Sequence, residues 1–269
     1  MEIDALVPLN VSDPSKRAKK LISDKMESSF LTKGLEKRSI LSDQLKTENG
    51  LNVTSKNLKE YIQSDLLPRI DHVPTSIRGK DGKMRLKFSA RLSLVPDHLR
   101  IRAEKYREPV KINAVRFSLK PQLIMAVIHT ESYFNPFARS NAGAYGLMQV
   151  IPRYAGREAY QFLFEEDRII TPQYLYQPIN NINLGSAYLY LLYNKHLVDV
   201  QGKNKRLFLA ICSYNWGPTS IRQKIIQRYQ VSFMPSDNLY RLLRSRTPQE
   251  TSDYLKRVTE RFNLYGNFF

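Results

Sequence analysis

The clearest hydrophobic pattern in the chain begins at Met84, where Met84, Leu86, Phe88, Ala90 and Leu92 alternate with Arg85, Lys87, Ser89, Arg91 and Ser93. A period of two sends one set inward and the other to solvent, which predicts a half-buried strand with a basic outer face. Gly79-Lys80-Asp81-Gly82 just before it is a hairpin-loop signal and makes Thr75 to Arg78 the expected partner strand. Residues 1 to about 70 show only weak apolar stripes among polar positions and read as polar helices. A turn signal interrupts them at Asn49-Gly50, after which Leu51, Val53 and Leu58 resume the pattern.

After Pro96 the period changes. Leu99, Ala103, Tyr106, Val110, Ala114 and Phe117 recur at helical spacing, with Asp97 placed to cap and Pro109 placed to kink or split the helix. Lys120-Pro121 then opens a helix whose run Leu123 to Ile128 is apolar on nearly every face and belongs deep in a core. Further helices are predicted over Asn181 to Tyr193 and over Leu207 to Tyr214. A last one begins at Thr247-Pro248-Gln249-Glu250, read as a Thr cap, a first-turn Pro and a capping-box Glu. The expected architecture is α+β overall: a small mixed α/β domain with a β-hairpin over residues 1–95, then a mainly α domain over 96–269.

Composition changes this picture in two respects. The formal charge of +17, with the basic excess present on both sides of Pro109, predicts attraction to an anionic partner: nucleic acid, an acidic membrane surface or an anionic wall polymer. Cys212 is the single cysteine, so no intrachain disulfide forms, and a buried core thiol is the ordinary role for it. The first thirty residues interleave Lys16, Arg17, Lys19 and Lys20 with Asp4, Asp13, Asp24 and Glu27 and lack an apolar signal core. Either the protein acts in the cytoplasm or an export segment has been removed.

Glu131 closes the apolar helix and is the only carboxyl between Glu108 and Glu158. Burial without a like-charged neighbour raises the pKa of such a group and suits it to general acid work, although a Glu ending a helix is more often a plain surface residue. Ser132 to Pro136 stops the helix, and Asn141 to Gly146 is a small-residue loop where backbone can approach a ligand. Ser213-Tyr214-Asn215-Trp216-Gly217 brings a phenol, an amide and the sole Trp to a helix end, groups suited to sugar rings. His72, His98, His129 and His196 show no ligand-like spacing, so neither metal nor other cofactor is expected.

In order along the chain, Glu131-Ser132, Ser140, Gly146-Leu147-Met148-Gln149, Asn183 with Gly185, Ala187-Tyr188-Leu189, Tyr214-Asn215 with Gly217, and Glu250-Thr251 with Tyr254 resemble the lytic transglycosylases of lysozyme-like fold. The match covers roughly residues 96 to 265. Through Val95-Pro96-Asp97-His98 and Ile128-His129-Thr130 it is most similar to the branch of membrane-bound lytic transglycosylase C, which also carries a smaller domain before the catalytic one. Trp216 and Ser213 depart from the small residues usual there, and the lipid-anchored Cys of that branch is lacking.

The resemblance implies a lysozyme-like catalytic domain acting on peptidoglycan glycan strands in the periplasm or cell envelope. Such a domain is expected to cleave the bond between N-acetylmuramic acid and N-acetylglucosamine and to leave 1,6-anhydro ends. By position, Glu131 is the catalytic carboxyl, Tyr254 points its hydroxyl at it, and Ser140 orients the carboxyl or the acetamido group. Gln149, Tyr214 and Asn215 bind sugar beside the cleaved bond, while Tyr188 is as readily core as substrate contact. Association with an anionic or outer membrane fits the branch, and nucleic acid is not expected. A goose-type lysozyme that releases reducing ends is the neighbouring enzymatic reading. A basic polyanion- or nucleic-acid-binding protein, with Arg85, Lys87 and Arg91 as its face, is the non-enzymatic one; it requires steep salt dependence and indifference to Glu131.

Overall fold

A computed structural model describes residues 1–32, 39–79 and 81–269. Lys80 of the expected hairpin loop and residues 33–38 of the expected amino-terminal helices lie outside the described residues. The chain divides into two compact units, Met1–Arg102 and Ala103–Phe269. Together they are α+β and mainly helical, with one small antiparallel sheet.

The first unit is built on three strands, β1 (Glu2–Pro8), β2 (Thr75–Arg78) and β3 (Met84–Arg91), in the order β1-β3-β2. β2 and β3 form the hairpin read from the sequence, with Thr75 opposite Lys87 and Arg78 opposite Met84. β1 corrects the reading of the amino terminus as helical. Ile3, Ala5 and Val7 alternate inward and pair β1 along β3 from Glu2↔Arg91 to Pro8↔Arg85. The period of two was too short, and Ala too weak an apolar signal, to outweigh the helical pattern that follows. That helix, α1 (Pro14–Leu31), is capped by Asp13, whose side chain accepts from the Lys16 amide, and it buries Ala18, Ile22, Met26 and Phe30 at four-residue spacing. A short α2 (Leu58–Tyr61) completes the unit's core with Leu58 and Tyr61.

The outer face of β3 is basic but largely neutralised. Arg85 donates to both carboxylate oxygens of Asp81 at 2.8 and 2.6 Å, and Lys87 lies 3.0 Å from Asp4. Ser89, expected to face solvent, is buried because its hydroxyl donates to Asp4 at 2.7 Å.

The helix expected after Pro96 splits into α3 (His98–Glu104) and α4 (Arg107–Arg116), and Pro109 falls in the first turn of α4, where its missing N–H costs nothing. At the centre of the second unit is α5 (Pro121–Ser132), buried from Leu123 through His129. It ends because Tyr133 and Phe134 both take left-handed backbone, at φ 49° and 64°. Around it follow α6 (Arg157–Phe164), α7 (Pro172–Leu175), α8 (Pro178–Leu191), α9 (Lys203–Trp216), α10 (Pro218–Ile221), α11 (Ser236–Arg246) and α12 (Gln249–Leu264). α5 packs against α4 and α12, and α9 packs against α12.

The capping expected at Thr247 does not occur. Thr247 instead closes α11, its hydroxyl and its amide both donating to Leu243 O, while Pro248 precedes the first turn of α12. Cys212 is fully buried, and burial raises its thiol pKa far above the ordinary value.

Candidate active site

The site is assembled where the carboxyl end of α5, the 138–150 loop, the end of α9 and the start of α12 converge. Glu131 is the penultimate residue of α5, one turn beyond the apolar run that holds the helix in the core. Tyr254 lies on α12, which runs against α5, and its hydroxyl donates to Glu131 Oε1 at 2.7 Å. Desolvation by burial raises the Glu131 pKa from 4.5 to about 7. The Tyr254 hydrogen bond and the Arg257 cation oppose that rise, and Glu250 adds slightly to it. Burial wins, so the carboxyl is poised between its two protonation states near neutral pH. Tyr214 and Tyr254 are held well above ordinary phenol pKa values, first by burial and then by the Glu131 charge.

The 138–150 loop is tied down from several sides. Ser132 donates its hydroxyl to Leu147 O at 2.8 Å. The Met148 peptide is gripped at both ends: its N–H donates to Asn181 Oδ1 at 2.8 Å, and its carbonyl accepts from the Tyr214 hydroxyl at 2.8 Å. Asn181, fully buried on α8, also donates Nδ2 to Tyr145 O and Leu175 O, both at 2.8 Å. One turn on, Gly185 lies so close to Met148 that a Cβ there would meet its Sδ at 2.5 Å and its Cβ at 2.8 Å. Gly146 approaches Asn181 and Leu175 O rather than a ligand, and its φ of 76° turns the loop. Of the two glycines in the loop expected to admit a ligand, Gly146 thus admits α8 instead, while a Cβ at Gly143 would meet nothing within 4 Å.

The residues singled out from sequence occupy this region with different degrees of freedom. Gln149, at φ 47°, donates both amide hydrogens, to Ala138 O at 3.1 Å and Gly146 O at 2.9 Å. Both partners are pure acceptors, which fixes the amide orientation and presents Oε1 as an acceptor. Asn215 accepts from the Thr251 hydroxyl at 2.7 Å through Oδ1. Tyr214 spends its proton on Met148, so it meets a ligand only as an acceptor or through its ring. The Ser140 hydroxyl accepts from the Ala144 amide at 3.0 Å within its own turn and is not hydrogen-bonded to Glu131. Tyr188 is 7% exposed, its ring 5.7 Å from that of Tyr214, and it forms the wall behind Tyr214. Trp216 lies under the Lys224 ammonium, 5.0 Å from the ring centroid.

The sequence reading missed Asn181, which it placed only as the start of a helix, and Arg257, whose charge lowers the Glu131 pKa. A buried amide with a complete hydrogen-bond set is invisible in sequence, since its partners are backbone atoms brought in by folding. Among the described residues, no group of three or more His, Cys, Asp or Glu side chains is placed to hold a metal.

Residues 108–235, from Glu131 through Asn215 but not Tyr254, match the model of the transglycosylase SLT domain. Membrane-bound lytic murein transglycosylase C of Klebsiella pneumoniae subsp. pneumoniae is 33% identical over 190 residues, covering 68% of this chain and 52% of that protein. The chain belongs to the lytic transglycosylase family. The protein of the same name from Sodalis glossinidius is 34% identical over 201 residues, covering 72% of this chain and 55% of that one. The chain therefore spans about half the length of the curated lytic transglycosylases it matches. Among solved structures, the 70 kDa soluble lytic transglycosylase of Escherichia coli superposes with a TM-score of 0.50 at 27% identity, over 64% of this chain and 26% of that one. A complex of the 70 kDa soluble lytic transglycosylase with bulgecin A gives a TM-score of 0.51 over the same shares, also at 27% identity.

Proposed function

We propose that the chain cleaves peptidoglycan between N-acetylmuramic acid and N-acetylglucosamine without water, leaving 1,6-anhydromuramoyl ends, with Glu131 as both acid and base. The observation that carries this reading is the half-buried Glu131 carboxyl, held near pKa 7 and hydrogen-bonded to Tyr254. The donated bond occupies Oε1, so in the acid form the proton resides on Oε2. From there it passes to the glycosidic oxygen as the bond to C1 breaks. The resulting carboxylate then takes the proton from the C6 hydroxyl as that oxygen closes on C1, which returns Glu131 to its starting state. A pKa near the working pH serves both steps. The usual glycosidase scheme needs two carboxyls flanking the bond, and among the described residues Glu250 is the one acid that bears on Glu131, as its weakest influence.

Gln149 Oε1, an acceptor fixed by its protein partners, and the Asn215 amide serve as the sugar contacts, with Ser140 and the Tyr214 and Tyr188 rings completing the groove. The catalytic domain occupies residues 96–269 and the smaller domain residues 1–95, and the enzyme works in the cell envelope. The curated relatives carry the words membrane-bound in their names, and association with an anionic or outer membrane follows from them as part of this proposal. No helix among the described residues is long and apolar enough to cross a membrane.

The test is digestion of purified peptidoglycan by the unaltered chain and by Glu131→Gln, with products identified by mass spectrometry. Anhydromuropeptides from the unaltered chain alone are expected. Reducing ends would make the chain a lysozyme-like hydrolase, and equal products from both proteins would remove Glu131 from the mechanism.

A further inference from the structure

The two ends of α5 face different surroundings. Glu131 lies in its last turn, whereas Lys120, eleven residues earlier and so roughly 16 Å back along the axis, immediately precedes its first. At that end a cavity of about 530 Å³ opens between the start of α5, the end of α8, the start of α9 and the end of α12. Its volume is in the range of small-ligand sites. A second hollow of about 420 Å³ shares Lys120 and Phe262 with it and extends it along α12.

The lining has a definite chemistry. Tyr190, Tyr193 and Phe262 supply half-buried aromatic surface, Asn194 an amide, and Lys120 and Lys203 two exposed ammonium groups. Among the described residues, no Asp or Glu lines either hollow. Elsewhere Lys87, Lys111, Arg107, Arg157 and Arg222 each sit against a carboxylate, but among the described residues neither Lys120 nor Lys203 does. The Lys120 ammonium instead lies 5.5 Å from the Phe262 ring centroid. α5 and α9 both begin at this cavity, after Lys120 and Gly202, and neither start has a side-chain cap, which adds to the positive potential. Tyr193 donates its hydroxyl to Lys203 O at 3.3 Å, fastening the α8 wall to the α9 wall.

Aromatic faces beside unpaired ammonium groups complement a ligand with a ring body and a carboxylate. We propose that this cavity is a second saccharide site that takes a muramoyl residue, its pyranose ring against Phe262 and the tyrosines and its lactyl or stem-peptide carboxylate on Lys120 and Lys203. The inference rests on the peptidoglycan reading above. It gives the domain two points of attachment to the wall polymer, one that cuts and one that only holds.

The Glu131→Gln chain, which leaves ligand intact, is titrated calorimetrically with a disaccharide-tetrapeptide muropeptide and, separately, with neutral N,N′-diacetylchitobiose. Two muropeptide sites are expected, and Lys120→Ala with Lys203→Ala should weaken one of them about tenfold or more, leaving the other unchanged. The neutral disaccharide should bind a single site that the lysine substitutions do not alter. The same lysine substitutions in the cleaving chain should retain its melting temperature and its cleavage of isolated glycan strands. One muropeptide site in the Glu131→Gln chain, or two that ignore the lysines, overturns the proposal. If anhydromuropeptides are still released in that case, the peptidoglycan reading stands without it; if the chain neither cuts nor binds, both fall.

Discussion

At Glu131 two influences pull in opposite directions, and their balance sets the chemistry. Burial favours the neutral acid, while the Tyr254 hydroxyl donates to the carboxylate and favours the charged form. With Glu131 as the sole acid, kcat/KM should decline above a pKa near 7. Tyr254→Phe removes the bond that stabilises the carboxylate, so the decline should move to higher pH by about one unit. A pH profile of glycan cleavage by the two proteins checks this, and an unmoved or lowered limb contradicts it. The positions of Glu131 and Tyr254 were legible in the sequence because the family pattern names them. The states of Gln149 and Tyr214 were not. Their N–H and O–H groups are spent on carbonyls of Ala138, Gly146 and Met148, whose directions depend on left-handed backbone at Gly146 and Gln149.

At the scale of one element, α5 carries two titrating groups with opposed effects on stability. Glu131 rises from 4.5 to about 7, so the folded state holds a proton that the unfolded chain has lost, and stability falls as pH climbs through that window. His129, hydrogen-bonded to Tyr265 at 2.9 Å, is pushed from 6.5 down to about 4 by burial and then by Arg261. There the unfolded chain holds the extra proton, and stability rises with pH between those values. Each effect is about 3 kcal/mol, so between pH 4.5 and 6.5 the helix nearly cancels its own pH dependence. Glu131→Gln removes one side of the balance. The variant should match the unaltered chain in stability near pH 4 and exceed it by about 3 kcal/mol at pH 8, measured by denaturant unfolding. Equal stabilities at pH 8 would mean that the carboxyl is not desolvated as described. The apolar run of α5 foretold its depth, but the partners of the two titrating residues at its end, Tyr254 for Glu131 and Tyr265 for His129, came from α12 and the segment after it, more than a hundred residues away.

For the molecule as a whole, the helical domain was readable from periodicity and motif, and the sheet from its one strongly alternating strand. β1 was not, since Ile3, Ala5 and Val7 gain meaning only beside β3. Net charge also reads differently in three dimensions: of Arg85, Lys87 and Arg91, the basis of the polyanion reading, the first two face Asp81 and Asp4, and the unpaired lysines named above lie in the second unit. One of the ties that hold the 138–150 loop of that unit was the least legible feature, because it is a single buried amide. Asn181 joins α8 to Tyr145, Met148 and Leu175, with two hydrogens given and one accepted. Asn181→Asp exchanges one nitrogen for one oxygen, with no change of shape. It turns two attractions to carbonyls into two repulsions, at a cost of about 3 kcal/mol or more for a buried charge so placed. Melting should drop accordingly, and cleavage should fall at a temperature where the protein is still folded. Hydrolytic deamidation makes the same exchange through attack of water on the amide carbon, and the full burial of Asn181 keeps that carbon from solvent.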